Sequence, residues 1–147
     1  IILQTIKKAR EGDIVFYCDS DWCFEKTPKP FIERAEQNDI VLFHENGDYA
    51  GYWTAPNTFI EMGVYLPQYA NSTMLLAGYS VWKSCKKSID FLEKWLQLCC
   101  RPEVIMPINY NGGHCFDQSI LTLLAKKEGI QAELSPKMNG TICEKYS

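Results

Sequence analysis

A run of five apolar residues at positions 14–18 constrains the fold of this chain most strongly. The run, Ile-Val-Phe-Tyr-Cys, has no polar alternation, which is typical of a strand buried on both faces of a sheet. A second such strand is predicted at residues 40–43, and a third at residues 73–82. The third is interrupted by Gly78, where either a bulge or a close backbone approach to a ligand is expected. Segments with helical periodicity occupy residues 1–10, 31–37, 57–62, 83–100 and 117–127. This alternation predicts an α/β fold whose mostly parallel or mixed sheet is covered by helices on both faces.

The composition is that of one folded domain. The chain has 147 residues, of which 46% are hydrophobic and 13% are aromatic. That is enough apolar material for a core and too much for a disordered segment. The formal net charge is -3 and the lysines are scattered, so the chain lacks the basic patch of a nucleic-acid binder. We therefore expect a single domain over residues 1–147 and no nucleic-acid partner.

The cysteines and the apolar runs bear on the cellular compartment. Seven cysteines occur, at positions 18, 23, 85, 99, 100, 115 and 143, without a C-x-x-C pair of the type used by zinc ribbons. Several lie in apolar runs, where a free cysteine behaves as a small hydrophobic residue. No run approaches the roughly 20 apolar residues of a membrane span, and no signal-peptide pattern occurs. The sequence thus predicts reduced thiols, a cytoplasmic location and no transmembrane segment.

An acidic motif, Asp19-Ser20-Asp21, directly follows the first predicted strand. Open α/β sheets place their ligand crevices at the carboxyl ends of strands. Two carboxylates at positions i and i+2 can converge on one hard cation, and Mg²⁺ or Mn²⁺ prefers oxygen ligands shared with substrate phosphates. Such a cation would neutralise charge on a departing diphosphate. The same tripeptide can instead form an Asx turn or cap the next segment, so both interpretations stay open.

A second group of polar residues begins the last predicted helix, at residues 112–119. Glycines allow close backbone approach, and a helix N-terminus favours anions, so a phosphate could bind here. His114 could complete a metal shell, and Asp117 could take a proton from an acceptor hydroxyl as a general base. Equally, Asp117-Gln118-Ser119 is what helix capping and the helix dipole prefer, and His114 could be an ordinary loop histidine.

A loop is predicted at residues 44–53, and aromatic residues concentrate in its second half, at residues 48–53. Their rings could stack on a sugar or a base, or they could form a small core beneath the loop. Tyr79, Trp82 and Trp95 are assigned to packing. The chain has no G-x-S-x-G, Walker-type or H-E-x-x-H motif, so the acidic and the glycine-containing segments remain the candidates for chemistry.

Taken together, residues 12–21 and residues 114–127 resemble a family of GT-A-type nucleotide-diphospho-sugar transferases that is found in bacteria and large viruses. In that family, a strand ending in a short acidic motif is followed much later by an H-x-x-D-Q-S-I helix, which here runs from His114 to Ile120. The segment Leu75-Leu-Ala-Gly78 and the helix with Trp95 also resemble the family's glycine-containing strand and tryptophan-bearing helix. The resemblance covers most of residues 1–130.

The resemblance implies a Rossmann-like GT-A fold of three layers, α/β/α, and a glycosyltransferase of hexosyltransferase type. The donor would be a nucleotide-diphosphate sugar, with a UDP-sugar preferred over a GDP- or dTDP-sugar, and the acceptor a hydroxyl of a glycan. A Mn²⁺ or Mg²⁺ cofactor is implied at Asp19 and Asp21, with His114 as a candidate third ligand and Asp117 as the candidate catalytic base. Further substrate contacts are expected at Ser20, Gly78, His114 and Gln118.

This chain departs from the family in two respects. Many relatives have a small residue and a cysteine after the first aspartate, whereas this chain has Ser20-Asp21, a better-formed metal motif. GT-A proteins also bind the nucleotide base with their first strands. Because this chain starts at Ile1 without an initiator Met and already in helical periodicity, we expect those strands to lie upstream.

Two other classes of function fit the same residues. A different metal-dependent enzyme, such as a nucleotidyl- or phosphoryl transferase or a phosphohydrolase, also uses paired aspartates after a strand. It would normally have further carboxylates near the metal and a basic clamp for phosphate. A non-catalytic glycan-binding module would use the aromatic loop at residues 48–53 and would leave both acidic segments unexplained.

Overall fold

Helices and strands alternate along the chain in the computed structural model, which describes residues 1–64, 67–138 and 140–144, without the side chains of residues 45, 46 and 144. The helices are α1 (Ile2–Lys8), α2 (Lys29–Asn38), α3 (Pro56–Glu61), α4 (Pro67–Ala70), α5 (Lys86–Cys99), α6 (Pro102–Ile105) and α7 (Phe116–Lys127). The strands are β1 (Ile14–Cys18), β2 (Trp22–Phe24), β3 (Ile40–Tyr49), β4 (Thr73–Lys83), β5 (Ala132–Leu134) and β6 (Ile142–Glu144). The longer predicted helices and strands are confirmed, whereas the sequence did not predict α4, α6, β2, β5 and β6.

The strands form one mixed four-stranded sheet and one small two-stranded sheet. The main sheet has the order β1-β4-β3-β5. In it β4 runs antiparallel to both β1 and β3, while β3 and β5 are parallel. Strands β2 and β6 pair antiparallel in the second sheet. The expectation of an α/β fold with a mixed sheet is confirmed. The alternative of a mostly parallel sheet is wrong, because β4 is antiparallel to both of its neighbours.

Two apolar cores lie on the two faces of the main sheet. Alternating residues of β3 and β4 point to opposite faces, so that Leu42 and Trp82 belong to one core and Phe43 and Tyr79 to the other. The first core also contains apolar residues of α1, α5 and α7, and the second contains those of α2. Helices therefore cover both faces, and the packing roles expected for Tyr79 and Trp82 are confirmed by their near-complete burial.

Strand β1 lies at an edge of the sheet instead of in its interior. All five of its residues are half-buried, which corrects the prediction of a strand buried on both faces. The run lacks polar residues because α1 contacts one face of β1 and α2 contacts the other. An edge strand with both faces partly covered carries the same apolar pattern as a central strand, so the sequence pattern does not distinguish them.

Strand β4 bulges at Gly78, as its sequence predicts. Pairing with β3 passes from Val41 opposite Val81 to Phe43 opposite Leu76. Extra residues of β4 therefore lie between these two pairs, which is the definition of a bulge. Gly78 falls within this stretch and still accepts a backbone hydrogen bond on the β1 side.

Strand β3 is longer than the sequence indicates. Residues 44–53 were expected to form a loop, whereas β3 continues to Tyr49. His44 pairs with Leu75 and Tyr49 pairs with Thr73, with a register shift between the two pairs. Residues 45–48 are polar and include a glycine, and they lie where the register shifts. Because such residues are typical of loops, the sequence did not indicate that the strand continues through them.

Helix α7 is the central helix of the first core. Its residues from Ser119 to Ala125 are buried without interruption, so the prediction of an amphipathic helix is wrong for its middle turns. The helix packs on β4 and is covered by α3, α5 and α6. The Thr122 hydroxyl accepts a hydrogen bond from the Leu75 amide at 3.0 Å and donates one to the Gln118 carbonyl at 2.8 Å. Because its polar atoms are satisfied in this way, a threonine is tolerated in the core.

The helices and cysteines add two facts about the chain. Among the residues that the structure describes, no helix combines the length and the apolar character needed to cross a lipid bilayer. All seven cysteines are free thiols. The compartment itself stays a prediction from the sequence.

Truncation of Leu123 tests the central position of α7. This side chain is fully buried, so Leu123→Ala should lower the free energy of unfolding by about 3 kcal/mol through lost burial and a residual cavity. Leu96→Ala on α5 is the matched control, because Leu96 is 53% exposed and the same change there should cost under about 1 kcal/mol. Urea denaturation followed by circular dichroism measures both, and equal effects would contradict this assignment of the core.

Candidate functional site

The acidic motif occupies a tight turn at the end of β1. The Asp19 amide donates to the Gly78 carbonyl at 2.8 Å, which extends the β1–β4 pairing by one residue, and the Trp22 amide donates to the Asp19 carbonyl at 3.2 Å. Backbone groups therefore close this turn. The side chains of Asp19, Ser20 and Asp21 are exposed to solvent, so the carboxylates remain accessible to a ligand.

The Asp19 carboxylate is oriented by two neighbours. The Tyr17 hydroxyl, on the same face of the strand, donates a hydrogen bond of 2.5 Å to Asp19 Oδ1. On the other side lies Gly78, where an added Cβ atom would come within 3.2 Å of Asp19 Oδ2. The missing side chain at Gly78 thus makes room for Asp19 itself. The sequence predicted a close approach at Gly78, but to a ligand.

Negative charge accumulates around this turn. The hydrogen bond to Asp19, followed by burial and by the charges of Asp19 and Asp117, raises the pKa of Tyr17 to about 12. Burial, followed by the charges of Asp19 and Asp21, raises the pKa of the Cys18 thiol. In the described part of the chain, neither Asp19 nor Asp21 belongs to an ion pair. The two carboxylates therefore carry uncompensated charge.

Two adjoining cavities meet at Tyr17. The acidic groove, of about 680 Å³, is lined by residues 15–21 together with Ile1, Ile2 and Thr5. The apolar cleft, of about 440 Å³, is lined by Tyr17, Ala77, Leu92, Trp95, Leu96, Cys99 and Asp117 together with residues 1–4. Tyr17 lies between a carboxylate-bearing groove and an apolar cleft, an arrangement that suits a ligand with one charged and one less polar part.

Asp117 lies at the mouth of the apolar cleft, in the first turn of α7. Its side chain is exposed, and its charge contributes to the raised pKa of Tyr17. The Trp95 indole N–H donates to the Asp117 backbone carbonyl at 2.9 Å, which fixes the start of α7 against α5. The two acidic segments, far apart in sequence, therefore come together around Tyr17.

His114 links the loop before α7 to the start of α3 and the end of α6. Its Nδ1 accepts a hydrogen bond from the Ala55 amide at 3.2 Å, so Nε2 carries the proton and donates to the Ile105 carbonyl at 2.8 Å. A metal ion could bind His114 only if one of these bonds broke. The geometry therefore disfavours the predicted ligand role and favours a structural one.

The glycine loop before α7 packs against an aromatic ring. A Cβ atom at Gly113 would lie 2.6 Å from Cε3 of Trp53. The Trp53 carbonyl accepts hydrogen bonds from the Cys115 amide at 3.1 Å and from the Ser119 hydroxyl at 2.8 Å. The close approach predicted for this loop is thus made to Trp53, which is partly buried against the first core. The side chain of Gln118 is half-buried, and its expected substrate contact stays a prediction.

Two tyrosines of the aromatic segment remain exposed. Tyr49 is 56% and Tyr52 73% exposed. Together with Gly47, Asp48, Gly51, Trp53, Ala70 and Asn71 they line a cavity of about 390 Å³, here called the aromatic groove. Trp53 packs against the first core and not in a separate small core beneath the loop. The stacking interpretation of this segment fits the exposed rings of Tyr49 and Tyr52.

Sequence analysis missed one group of metal-ligating residues. Ligand atoms of Cys23, Glu25 and Cys143 lie within 4.8 Å of one another, and among the described residues this is the one place where three such atoms converge. Cys23 and Glu25 have the i, i+2 spacing of one strand face, but nothing in the sequence indicates that β6 brings Cys143 beside them.

Comparison with protein-family models, with curated proteins and with solved structures finds no match to this chain.

The hydrogen bond between Tyr17 and Asp19 is testable by titration. Because Asp19 raises the pKa of Tyr17 from 10.0 to about 12, Asp19→Asn should return this pKa toward 10.0 by removing the charge. Tyrosinate absorbance measures the shift, with Tyr17→Phe to identify the transition and Asp90→Asn as a control. The contribution of Tyr17 to stability is present below pH 10.0 and is lost as the pH rises toward 12. If Tyr17 titrates at the same pH with and without Asp19, the proposed orientation of this carboxylate is wrong.

Proposed function

We propose that this protein is a metal-dependent glycosyltransferase that moves a sugar from a nucleotide-diphosphate donor to a hydroxyl of a glycan acceptor. The observation that carries the proposal is the convergence at Tyr17 of Asp19 and Asp21 with Asp117. One side of Tyr17 offers two exposed carboxylates without a cationic partner. The other side offers an apolar cleft with a single carboxylate at its mouth. The acidic groove suits a cation with a diphosphate, and the apolar cleft suits a sugar and an attacking hydroxyl.

The donor set at Asp19 and Asp21 fits Mn²⁺ or Mg²⁺. Both side chains offer oxygen, the ligand type that these hard cations prefer. No third protein ligand in the described residues completes a cluster with them, which agrees with a cation that keeps several waters and takes further oxygens from substrate phosphates. In this proposal His114 is not a ligand, since both of its ring nitrogens bind backbone groups.

The residues around Tyr17 then have separate tasks. Tyr17 holds Asp19 in one orientation through its hydroxyl, and Gly78 leaves room for that orientation. The bound cation would offset the charge that develops on the departing diphosphate. Asp117 accepts the proton of the acceptor hydroxyl, while the hydrogen bond from Trp95 keeps the first turn of α7 in place.

The aromatic groove supports a second candidate, a non-catalytic glycan-binding module. Exposed tyrosine rings beside a groove suit the apolar face of a sugar, and Tyr49 and Tyr52 are such rings. In the glycosyltransferase proposal, the same groove holds part of the glycan acceptor. The two functions differ in whether Asp21 and a divalent cation are needed for binding a nucleotide sugar.

Donor binding tests the role of Asp21. Calorimetry with UDP-glucose, GDP-mannose and dTDP-glucose should give binding of at least one donor in the presence of Mn²⁺ and a large loss of binding when Mn²⁺ is omitted. Asp21→Asn removes a metal ligand and should weaken Mn²⁺-dependent binding at least about tenfold. Asp90→Asn is the matched control, because Asp90 pairs with Lys86 in a solvent-exposed ion pair on α5.

Three results would oppose the proposal in different ways. Equal binding by Asp21→Asn and the unchanged protein would exclude the metal role of Asp21. Binding of a nucleotide without a sugar preference, accompanied by phosphate release, would favour a phosphoryl-transfer enzyme. Binding of glycans alone would favour the module.

Asp117→Asn tests the proposed base. In the presence of Mn²⁺, water can replace the acceptor, so slow hydrolysis of the bound donor reports on chemistry without a known glycan. Loss of a general base should lower the hydrolysis rate by about 100-fold or more while leaving donor affinity close to that of the unchanged protein. A rate equal to that of the control Asp90→Asn would show that Asp117 does not take part in proton transfer.

A further inference from the structure

The strand pair that follows the acidic motif carries a cluster of sulfur and oxygen ligands. In the second sheet, Cys23 lies directly opposite Cys143, and the Glu25 amide continues the ladder by donating to the Thr141 carbonyl at 2.8 Å. Directly opposed residues share one face of a sheet, as do residues two apart on a strand. This register brings Cys23, Cys143 and Glu25 together.

The alternation of β2 leaves this face of the strand pair toward solvent. Trp22 and Phe24 point the other way, where Trp22 packs on the second core beside the buried Ile142, and the Phe24 ring contacts Phe16 at 5.0 Å between centroids. Glu25 is exposed, and Cys23 and Cys143 are half-exposed. An ion from solvent can therefore reach all three side chains.

The three side chains already form one hydrogen-bonded chain. The Cys143 thiol donates to Glu25 Oε1 at 3.0 Å, and Cys23 and Cys143 Sγ lie 3.1 Å apart. Because the Cys143 proton goes to Glu25, Cys23 is the donor between the two sulfurs. Hydrogen bonding to Glu25, then to Cys23, raises the pKa of Cys143 to about 12. The three ligand atoms are therefore close enough to one another to bind one cation.

From this geometry we propose that Cys23, Cys143 and Glu25 form a binding site for a thiophilic divalent cation of the zinc type, separate from the Asp19–Asp21 site. Two thiolates and a carboxylate are ligands of Zn²⁺, whereas Mg²⁺ and Mn²⁺ prefer oxygen alone. With Zn–S distances of about 2.3 Å, the sulfurs of a tetrahedral site lie about 3.8 Å apart. The present 3.1 Å therefore needs only a small opening.

Binding exchanges protons for the metal. Zn²⁺ displaces one proton from each of the two thiols, forms two Zn–S bonds and one bond to the Glu25 carboxylate, and keeps water at the fourth position. No electron is transferred, so neither an oxidant nor a reductant takes part. The bound ion would join β2 to β6 and thereby fix the chain directly after Asp21.

Cobalt substitution tests the proposal on the fully reduced protein, kept so with a phosphine reductant. Co²⁺ should bind with one equivalent and give the thiolate-to-cobalt charge-transfer absorption of a tetrahedral sulfur site, and Zn²⁺ should displace it. Cys23→Ser and Cys143→Ser should each abolish this absorption, whereas Cys100→Ser, at an exposed thiol outside the cluster, should retain it. Asp21→Asn should also retain it, which separates this test from that of the proposed function.

A second measurement needs no variant. Zn²⁺ should protect Cys23 and Cys143, but not Cys100, from alkylation by iodoacetamide, as read by peptide mass spectrometry. The proposal is overturned if the unchanged protein gives no thiolate absorption with Co²⁺, if the absorption survives in folded Cys143→Ser, or if Zn²⁺ protects neither cysteine of the pair.

Discussion

The antiparallel pairing of β1 with β4 is the constraint on which the candidate site depends. Its register runs from Ile14 opposite Lys83 to Cys18 opposite Tyr79, and the Asp19–Gly78 hydrogen bond continues it. A shift by one residue would move Tyr17 and Asp19 to the opposite face of the sheet. The observed register instead places them on the face covered by α5 and α7, where Asp117 lies.

Sequence analysis identified the parts of the fold that depend on local pattern. The apolar run at residues 14–18 and the helical periodicity of residues 83–100 are local patterns, and β1 and α5 are present there. The bulge at Gly78 was also predicted, because a glycine within a strand favours one. What the sequence did not reveal depends on distant partners. The edge position of β1, the complete burial of the middle of α7 and the pairing of β2 with β6 follow from tertiary neighbours.

The same distinction holds within the site. The exposed positions of Asp19 and Asp21 after a strand follow from local sequence, and the structure keeps both accessible. The roles of Tyr17 and His114 do not follow from local sequence. Tyr17 looked like one more apolar residue of its strand, yet its hydroxyl binds Asp19. His114 suggested a metal ligand, but the Ala55 amide, 59 residues away, and the Ile105 carbonyl, nine residues away, occupy both of its ring nitrogens.

Ligand chemistry distinguishes the two cation sites of this account. The Asp19–Asp21 turn offers only oxygen and leaves most of the coordination shell to water and phosphate. The strand pair that follows offers two sulfurs and one carboxylate, which favour a softer ion. The two sites lie on adjacent segments of chain, so the cation at the strand pair would stabilise the turn without taking part in its chemistry.

The most direct test of the central claim is the location of a bound manganese ion. Anomalous diffraction from crystals grown with Mn²⁺ and UDP reports the ion's position independently of any assay. The account predicts one anomalous peak within bonding distance of the Asp19 and Asp21 carboxylates, bridged to the diphosphate oxygens, with Asp117 across Tyr17 from it. A diphosphate bound without manganese at Asp19 and Asp21, or manganese bound elsewhere on the chain, would contradict it.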